Sequence, residues 1–460
     1  MLIRFNVKNY LSFSAREDGS TEEFSMIAGK VRSKKEHLYD DGNIKLLKFA
    51  AVYGANASGK SNLVKAMDFM RQTVLMGLPD GCTSQYCRMK EENKNLPSYF
   101  EVEIKLGNRY YTYGFEVILS LKHFVSEWLY ELKANNNDKL IFSRDIDNTT
   151  FDFGSDLKVE GLWNKLTNYA EDIQDDGNVL LLSLLNQNKK NLYQQYREIA
   201  VIQDVFEWFK SQLDINFPNR PISDYSYMVR KDNIEEIYRI ISAFGTGITG
   251  FEIIEVSPDK MVAALPDPVK PIFLNNLEKH ITEMKQNASL NGFSVVMRGS
   301  QAFFVLEVSK DEEMNCKTIQ FSHGSRKVLF ELGEESDGTL RLLDLLEVLL
   351  CKEGKTYVID EVDRCLHPSL TYKFIEIFLQ IAEQNGVQLI VTTHESRLMD
   401  FDLLRRDEIW FVDKNNSGES NIYSLEEYNA RFDQKIDKAY LEGRYGGVPI
   451  FSTVFPIKEG

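Results

Sequence analysis

The sequence lacks the features that mark membrane, secreted and zinc-bound proteins. No window approaches the run of about 18 uninterrupted apolar residues that a membrane helix needs, and the N-terminal MLIRFNVKNY has no signal-peptide core. The five cysteines are scattered, without a Cys-x-x-Cys pair followed by histidines, which favours free thiols over a zinc knuckle. We therefore expect a soluble, cytoplasmic protein without a membrane partner.

Excess positive charge and repeated sequence are also missing. The formal net charge is −15, so the surface as a whole is not a non-specific trap for nucleic acid, although a local basic groove is compatible with that sum. No heptad pattern, internal repeat or low-complexity tract is sustained, which argues against a long coiled-coil arm. With 460 residues, 43% hydrophobic and 12% aromatic, the chain is expected to form a globular protein of two or three domains.

What the chain does contain is a change of pattern along its length. Residues 99–132 are rich in β-formers, with a Gly-Asn turn at 107–108. Apolar residues between Leu192 and Leu213 then recur at helical spacing. Strand and helix patterns alternate towards the C-terminus, which predicts an α/β sheet with parallel strands.

The segment GANASGKS, residues 54–61, matches the eight-residue phosphate loop. Its glycines let successive backbone N–H groups approach phosphate oxygens, and the start of the following helix adds positive potential. Lys60 can reach the outer phosphates, and the Ser61 hydroxyl can ligate Mg²⁺. An apolar run precedes the segment and a helix-like run follows it, which favours a nucleotide site over a chance glycine turn. The predicted contact residues here are Gly54, Ala55, Asn56, Ala57, Ser58, Gly59, Lys60, Ser61 and Asn62.

Carboxylates and a histidine follow two later apolar runs. YVIDE ends in Asp360 and Glu361, which places them at the carboxyl edge of a buried strand, where α/β sheets bind ligands. Asp360 is predicted to hold Mg²⁺, and Glu361 to act as the general base towards water. An ordinary strand end is the alternative, because acidic pairs are common. His394, in LIVTTHES, is either structural or placed to sense the γ-phosphate.

Four segments resemble the ABC-type ATPases: GANASGKS, ESDGTLR at 335–341, VIDEVDRCLHP at 358–368 and TTHES at 392–396. ESDGT looks like a variant of the signature motif, and the resemblance implies that Ser336 and Gly338 contact the ATP held by a partner's phosphate loop. It also implies ATP and Mg²⁺ as cofactors, with Lys60, Glu361 and His394 as the catalytic residues. Two ATPs would then lie in a head-to-head dimer of C2 symmetry.

A closer resemblance is to bacterial AAA15/AAA21-like ATP-binding proteins, related to the ATPase part of overcoming-lysogenization-defect nucleases. This resemblance rests on the segments FNVKNYLSF, YTYGFEV with SEWLYEL, ESDGTLRLLDLL and YLEGRYGGVP. It therefore extends over nearly the whole chain. Related heads often have an arginine where this chain has Leu11. The implied fold is α/β, an ABC-type P-loop ATPase head with a mainly helical inserted lobe. The predicted parts are residues 1–150 (core with phosphate loop and antiparallel β subdomain), 151–305 (helical and mixed lobe) and 306–460 (core with signature, Walker B and switch histidine).

The function implied by this resemblance is a Mg²⁺-dependent ATPase that controls a separate effector in anti-phage defence. It would form a homodimer or a higher even-numbered homo-oligomer, and the effector would be a nuclease of the TOPRIM or RloB-like type. The alternative is a DNA repair or chromosome-maintenance head, with nucleic acid as a partner, although such heads usually carry coiled-coil arms. An intrinsic nuclease is disfavoured, because the residues after His394 resemble a last strand and a tail.

Overall fold

Residues Leu2–Lys8 at the N-terminus form the first strand, in which Ile3, Phe5 and Val7 are buried. The computed structural model describes residues 1–133, 137–174, 176–187, 189–220, 222, 226–229, 234–286, 292–299, 302–324, 328–351, 354–382, 386–428 and 436–441. They belong to two units. The first comprises Met1–Pro218, Lys352–Asp363 and Ile375–Gly460, and the second comprises Asn219–Cys351 and Arg364–Phe374.

The strands and helices follow one another in chain order. The first ten strands are β1 Leu2–Lys8, β2 Glu22–Ser25, β3 Leu38–Asp40, β4 Lys45–Leu47, β5 Phe49–Tyr53, β6 Ser98–Leu106, β7 Arg109–Ile118, β8 His123–Leu132, β9 Lys139–Asp145 and β10 Thr150–Phe153. The later strands are β11 Leu213–Asn216, β12 Ile248–Val256, β13 Gly292–Arg298, β14 Phe303–Ser309, β15 Met314–His323, β16 Leu329–Glu331, β17 Thr356–Ile359, β18 Gln388–Thr392, β19 Ile409–Lys414 and β20 Ser420–Ser424. The helices are α1 Lys60–Met76, α2 Leu162–Asp172, α3 Leu181–Asn186, α4 Lys190–Gln195, α5 Ala200–Glu207, α6 Ser226–Val229, α7 Ile234–Ala243, α8 Pro258–Ala264, α9 Lys270–Gln286, α10 Asp337–Leu350, α11 Pro368–Ala382 and α12 Ile436–Leu441.

A mostly parallel sheet in the first unit carries the site. Its strand order is β11-β17-β18-β5-β19-β20, parallel from β11 to β19, with β20 antiparallel at the edge. Every residue of β5, β17 and β18 is buried, which is typical of parallel strands covered on both faces. The carboxyl ends of these three strands therefore lie at one edge of the sheet, and the predicted α/β class is confirmed.

The second sheet of this unit is antiparallel, in the order β10-β9-β8-β7-β6-β1-β2. The predicted turn at Gly107 joins β6 to β7, with φ of 55° at the glycine. Glu127 on β8 is fully buried, where its carboxylate accepts hydrogen bonds from the backbone N–H groups of Leu181 and Leu182 and from the hydroxyl of Tyr113. Burial raises the pKa of Glu127, and these donors oppose the rise. The carboxylate thus ties the strand to the start of α3.

The helical spacing between Leu192 and Leu213 is only partly realised. It gives α4 and α5, followed by a π-helical turn at Trp208–Gln212. Leu213 then begins β11, which pairs in parallel with β17, so the helical prediction is wrong at that residue. Strand pairing with β17, a distant part of the chain, determines the conformation of Leu213 more strongly than the local helical periodicity does.

The second unit combines helices with an antiparallel sheet of order β12-β15-β14-β13, on which β16 pairs with β15. Helix α10 is tied to its surroundings by an ion pair between Arg298 and Asp344, and the Leu343 carbonyl accepts from the Tyr227 hydroxyl at 2.5 Å. The three-part division of the chain stays a prediction. Among the described helices, none is both long and apolar enough to cross a membrane.

Candidate nucleotide-binding site

The phosphate loop links the end of β5 at Tyr53 to the start of α1 at Lys60. Two of its glycines lie too close to neighbouring strands to accept a side chain. A Cβ on Gly54 would lie 2.3 Å from the Val412 carbonyl oxygen, and one on Gly59, whose φ is 120°, would lie 2.4 Å from Ser420 Oγ. The loop therefore follows a path that only glycine permits at these two positions.

Lys60 folds back over this loop. Its Nζ donates to the carbonyl oxygen of Gly54 at 2.7 Å and to that of Ala55 at 3.1 Å. Burial lowers the pKa of Lys60 to about 8, while the carboxylates of Asp360, Glu361 and Asp363 oppose the shift. The ammonium of Lys60, held by two backbone carbonyl oxygens, is well placed to bind an anion such as a phosphate.

Asp360 follows β17 directly and faces the start of α1. Its Oδ1 accepts from Ser61 Oγ at 3.1 Å and from Thr392 Oγ1 at 2.6 Å. Its backbone N–H donates to the Asn216 carbonyl oxygen at 2.9 Å, which fixes the chain at the edge of the sheet. A carboxylate beside a hydroxyl supplies the hard oxygen ligands that Mg²⁺ prefers, so these residues fit the metal that the sequence predicts.

Glu361 occupies a left-handed backbone conformation, with φ of 51°. Its N–H donates to Thr392 Oγ1 at 2.8 Å, so one threonine hydroxyl contacts both acidic residues. Such a conformation is unusual for a residue with a side chain and persists only where its surroundings hold it. Thr392 was missed by the sequence reasoning, although its position at the carboxyl end of the next strand is a usable signal.

His394 lies after β18, and its backbone N–H donates to Asp363 Oδ2 at 3.4 Å. Burial, followed by the charge of Lys60, lowers the pKa of His394, and the carboxylates of Asp363, Glu361 and Asp360 act in the opposite direction. The lowered pKa favours the neutral imidazole, which can donate at one nitrogen and accept at the other.

Lys60, Glu361 and His394 line one cavity of about 580 Å³ in the first unit, whereas the predicted residues Gly54, Ala55 and Asp360 are not part of its lining. Two lysines that the sequence reasoning missed, Lys65 on α1 and Lys414 at the end of β19, also line it and add positive charge. Lys65 stands four residues after Ser61, a spacing that places both on one face of a helix, whereas nothing local marks Lys414. The predicted residues lining the cavity are Asn56, Ala57, Ser58, Gly59, Lys60, Ser61, Asn62, Glu361 and His394.

The signature residues belong to the second unit. Ser336 is the N-cap of α10, as expected for the start of a helix, and its Oγ accepts from the Thr339 N–H at 3.2 Å. Gly338 lies in the first turn, where a Cβ would come within 3.0 Å of the Cys365 carbonyl oxygen. The roles of Ser336 and Gly338 towards a nucleotide stay predictions.

Comparison with known proteins identifies the family of this chain. A family model described as "AAA domain, putative AbiEii toxin, Type IV TA system" matches residues 49–400, which include the phosphate loop, Asp360, Glu361 and His394. The chain belongs to this AAA family. It is accordingly an AAA-type protein with the α/β P-loop ATPase fold, and ATP with Mg²⁺ is the cofactor pair of such ATPases.

Solved structures similar to this AAA-family chain include three SMC heads. The first, bound to the C-winged helix domain of ScpA, is 14% identical over 92% of this chain and 97% of that chain, with a TM-score of 0.42. The head domain from Thermotoga maritima is 13% identical over 92% and 98%, with a TM-score of 0.31. A head with an extended coiled coil, bound to the C-terminal domain of ScpA derived from Pyrococcus furiosus, is 14% identical over 96% and 99%, with a TM-score of 0.34. Comparison with curated proteins found no match.

Proposed function

We propose that this protein is a Mg²⁺-dependent ATPase that dimerises around ATP and so controls a separately encoded effector, a nuclease, in bacterial anti-phage defence. The observation that carries the ATPase part is that Lys60, Ser61 and Glu361 line a single cavity, with the Asp360 carboxylate hydrogen-bonded to Ser61. The family description, with its putative toxin of a toxin–antitoxin system, supports the defence part.

Each residue of the cavity has a defined task in this proposal. Backbone N–H groups of the loop and the Lys60 ammonium bind the phosphates. Ser61 and Asp360 would hold Mg²⁺, which supplies charge neutralisation at the β- and γ-phosphates. Glu361 orients the attacking water and accepts its proton at a carboxylate oxygen. The neutral His394 hydrogen-bonds the γ-phosphate, and thereby distinguishes ATP from ADP.

The dimer part of the proposal is carried by Ser336. As the N-cap of the 14-residue helix α10, it stands where backbone N–H groups and the helix dipole favour an anion. By resemblance to ABC-type heads, that anion is the γ-phosphate of the ATP held by the other protomer. ATP then forms part of the interface, and hydrolysis removes the contact that keeps the protomers together.

Light scattering with Glu361→Gln tests the dimer. This variant should bind Mg-ATP without cleaving it and double its mass, whereas Lys60→Ala should bind no nucleotide and keep its mass. Ser336→Ala in the Glu361→Gln background should bind ATP but fail to dimerise. Ser257→Ala is the matched control, because Ser257 caps α8 in the same unit through the Asp259 N–H at 3.2 Å.

Two results would contradict the proposal. If the Glu361→Gln protein binds ATP but its mass is unchanged, the proposed dimer is wrong. If Lys60→Ala binds ATP normally, the assignment of the phosphate loop is wrong. Co-purification of neighbouring gene products with Glu361→Gln, with and without ATP, then tests the effector. Capture of a nuclease only in one nucleotide state is the expected outcome.

A further inference from the structure

The phosphate loop and the first turn of α1 are hydrogen-bonded to two serines that are far apart in the sequence, Ser12 and Ser420. The Ser420 hydroxyl, on β20, donates to the Ser58 carbonyl oxygen at 2.5 Å and lies 2.8 Å from Ser12 Oγ. Ser12 Oγ also accepts from Asn62 Nδ2 at 2.8 Å. Ser12, Ser58 and Ser420 are each at most 4% exposed, so these bonds are shielded from water.

The bond to Ser58 fixes the orientation of one peptide group in the loop. In a trans peptide the carbonyl oxygen and the following N–H point to opposite sides, and the described chain has no cis peptide bond. Because the Ser58 carbonyl is turned towards β20, the N–H of Gly59 is turned the other way. Gly59 lines the cavity, so this N–H is available to a phosphate oxygen there.

The two serines are themselves held rigidly. The Ser420 N–H donates to the Ser12 carbonyl oxygen at 2.8 Å, and Ser420 pairs with Lys414 across the β19–β20 hairpin. Ser12 follows Asn9 and Leu11, both with positive φ. The Asn9 side chain anchors that turn by donating to the carbonyl oxygens of Asn93 and Leu96 at 2.8 and 2.9 Å.

We propose that Ser420 is a positioning residue for the phosphate loop, which keeps the Ser58–Gly59 peptide in the orientation that binds a nucleoside triphosphate. This inference rests on the proposed ATPase function. Asn62 acts beside it: its amide is bonded to Ser12, which connects the first turn of α1 to the same pair of serines.

Calorimetric titration of Mg-ATP into the full chain, in the non-hydrolysing Glu361→Gln background, tests the proposal. Ser420→Ala should weaken binding about 5- to 30-fold, the effect expected for loss of a buried hydrogen bond whose acceptor stays in place. Ser424→Ala is the matched control, since Ser424 is buried on the same face of β20 and its side chain, among the described residues, bonds the turn that follows, accepting from the Glu426 N–H. Its affinity should be unchanged, and both variants should unfold at similar temperatures without nucleotide.

Ser12→Ala supplies a second test, because it leaves the bond from Ser420 to the Ser58 carbonyl in place. It should weaken binding less than about fivefold, the lower end of the range for a buried hydrogen bond. Equal affinity of Ser420→Ala and its Glu361→Gln parent would overturn the inference, as would a loss in Ser12→Ala as large as in Ser420→Ala. A parent that binds no Mg-ATP would overturn the proposed function itself, which separates the two failures.

Discussion

Replacing Thr392 by valine removes one hydroxyl that serves both acidic residues of the site and leaves the shape of the side chain nearly unchanged. Thr392 is 1% exposed at the end of β18, so water cannot replace the hydroxyl in the native fold. Asp360 would lose its donor at 2.6 Å, and the Glu361 N–H would lose its acceptor at 2.8 Å. The residue with positive φ, Glu361, then loses a contact that holds its backbone.

The size of the effect follows from these two bonds. A hydrogen bond to an ionised carboxylate contributes about 1.5–3 kcal/mol and a neutral one about 1 kcal/mol, so the variant should be less stable by about 3 kcal/mol. Displacing Glu361 from its position relative to the attacking water should lower kcat about 10- to 100-fold. Affinity for ATP without Mg²⁺ should change little, because Lys60 and the backbone of the loop are untouched.

The assay is steady-state ATP hydrolysis over a range of Mg²⁺ concentrations, together with thermal unfolding. Half-maximal activity should need more Mg²⁺, since Asp360 is no longer oriented by the threonine. Thr73→Val is the matched control: Thr73 on α1 is fully buried, and its hydroxyl has no hydrogen-bond partner among the described residues. Wild-type kcat and Mg²⁺ dependence in Thr392→Val, or an equal loss in the control, would refute the reasoning.

Two further predictions concern the loop. Because the pKa of Lys60 is lowered to about 8, its ammonium loses a proton as pH rises through that value and should regain it when a triphosphate binds. The affinity for Mg-ATP should therefore fall above about pH 8. Calorimetry in buffers of different ionisation enthalpy should show the uptake of a proton on binding. Constant affinity between about pH 7 and 9.5 would contradict this. Gly59→Ala and Gly77→Ala both add a Cβ at positive φ, a strain on the order of 1 kcal/mol, but only the Cβ at Gly59 meets another atom, Ser420 Oγ at 2.4 Å. Only Gly59→Ala should lose Mg-ATP binding. Equal affinities in the two variants would contradict the close contact between Gly59 and Ser420.

The local parts of the site could be predicted from the sequence. A phosphate loop needs a buried strand, glycines at fixed positions and a helix, and all of these lie within Phe49–Met76. Asp360 and Glu361 were found in the same way, because a short apolar run ending in carboxylates determines where those carboxylates lie. Ser336, the N-cap of α10, is a residue type that often caps helices, so the start of this helix is also marked locally.

The contacts of the supporting residues could not be predicted, because their partners are far away in the chain. Thr392 meets Asp360 only after β17 and β18 pair, and Ser420 meets Ser58 across 362 residues. Lys414 enters the cavity because β19 lies beside β5. Leu213 was wrongly predicted to be helical for the same reason, since it becomes part of a strand through pairing with β17, far away in the sequence. Local patterns contain the chemistry of this site, and long-range strand order supplies its geometry.

The contact between Ser12 and Ser420 spans 408 residues, which has a consequence for how the protein is made. At a synthesis rate of about 5–20 residues per second, Ser12 is made about 20 to 80 s before Ser420. During that interval the nascent chain already contains GANASGKS, yet the hydroxyl that orients the Ser58–Gly59 peptide has not been made. The phosphate loop can therefore reach the geometry described here only after residue 420 has been translated.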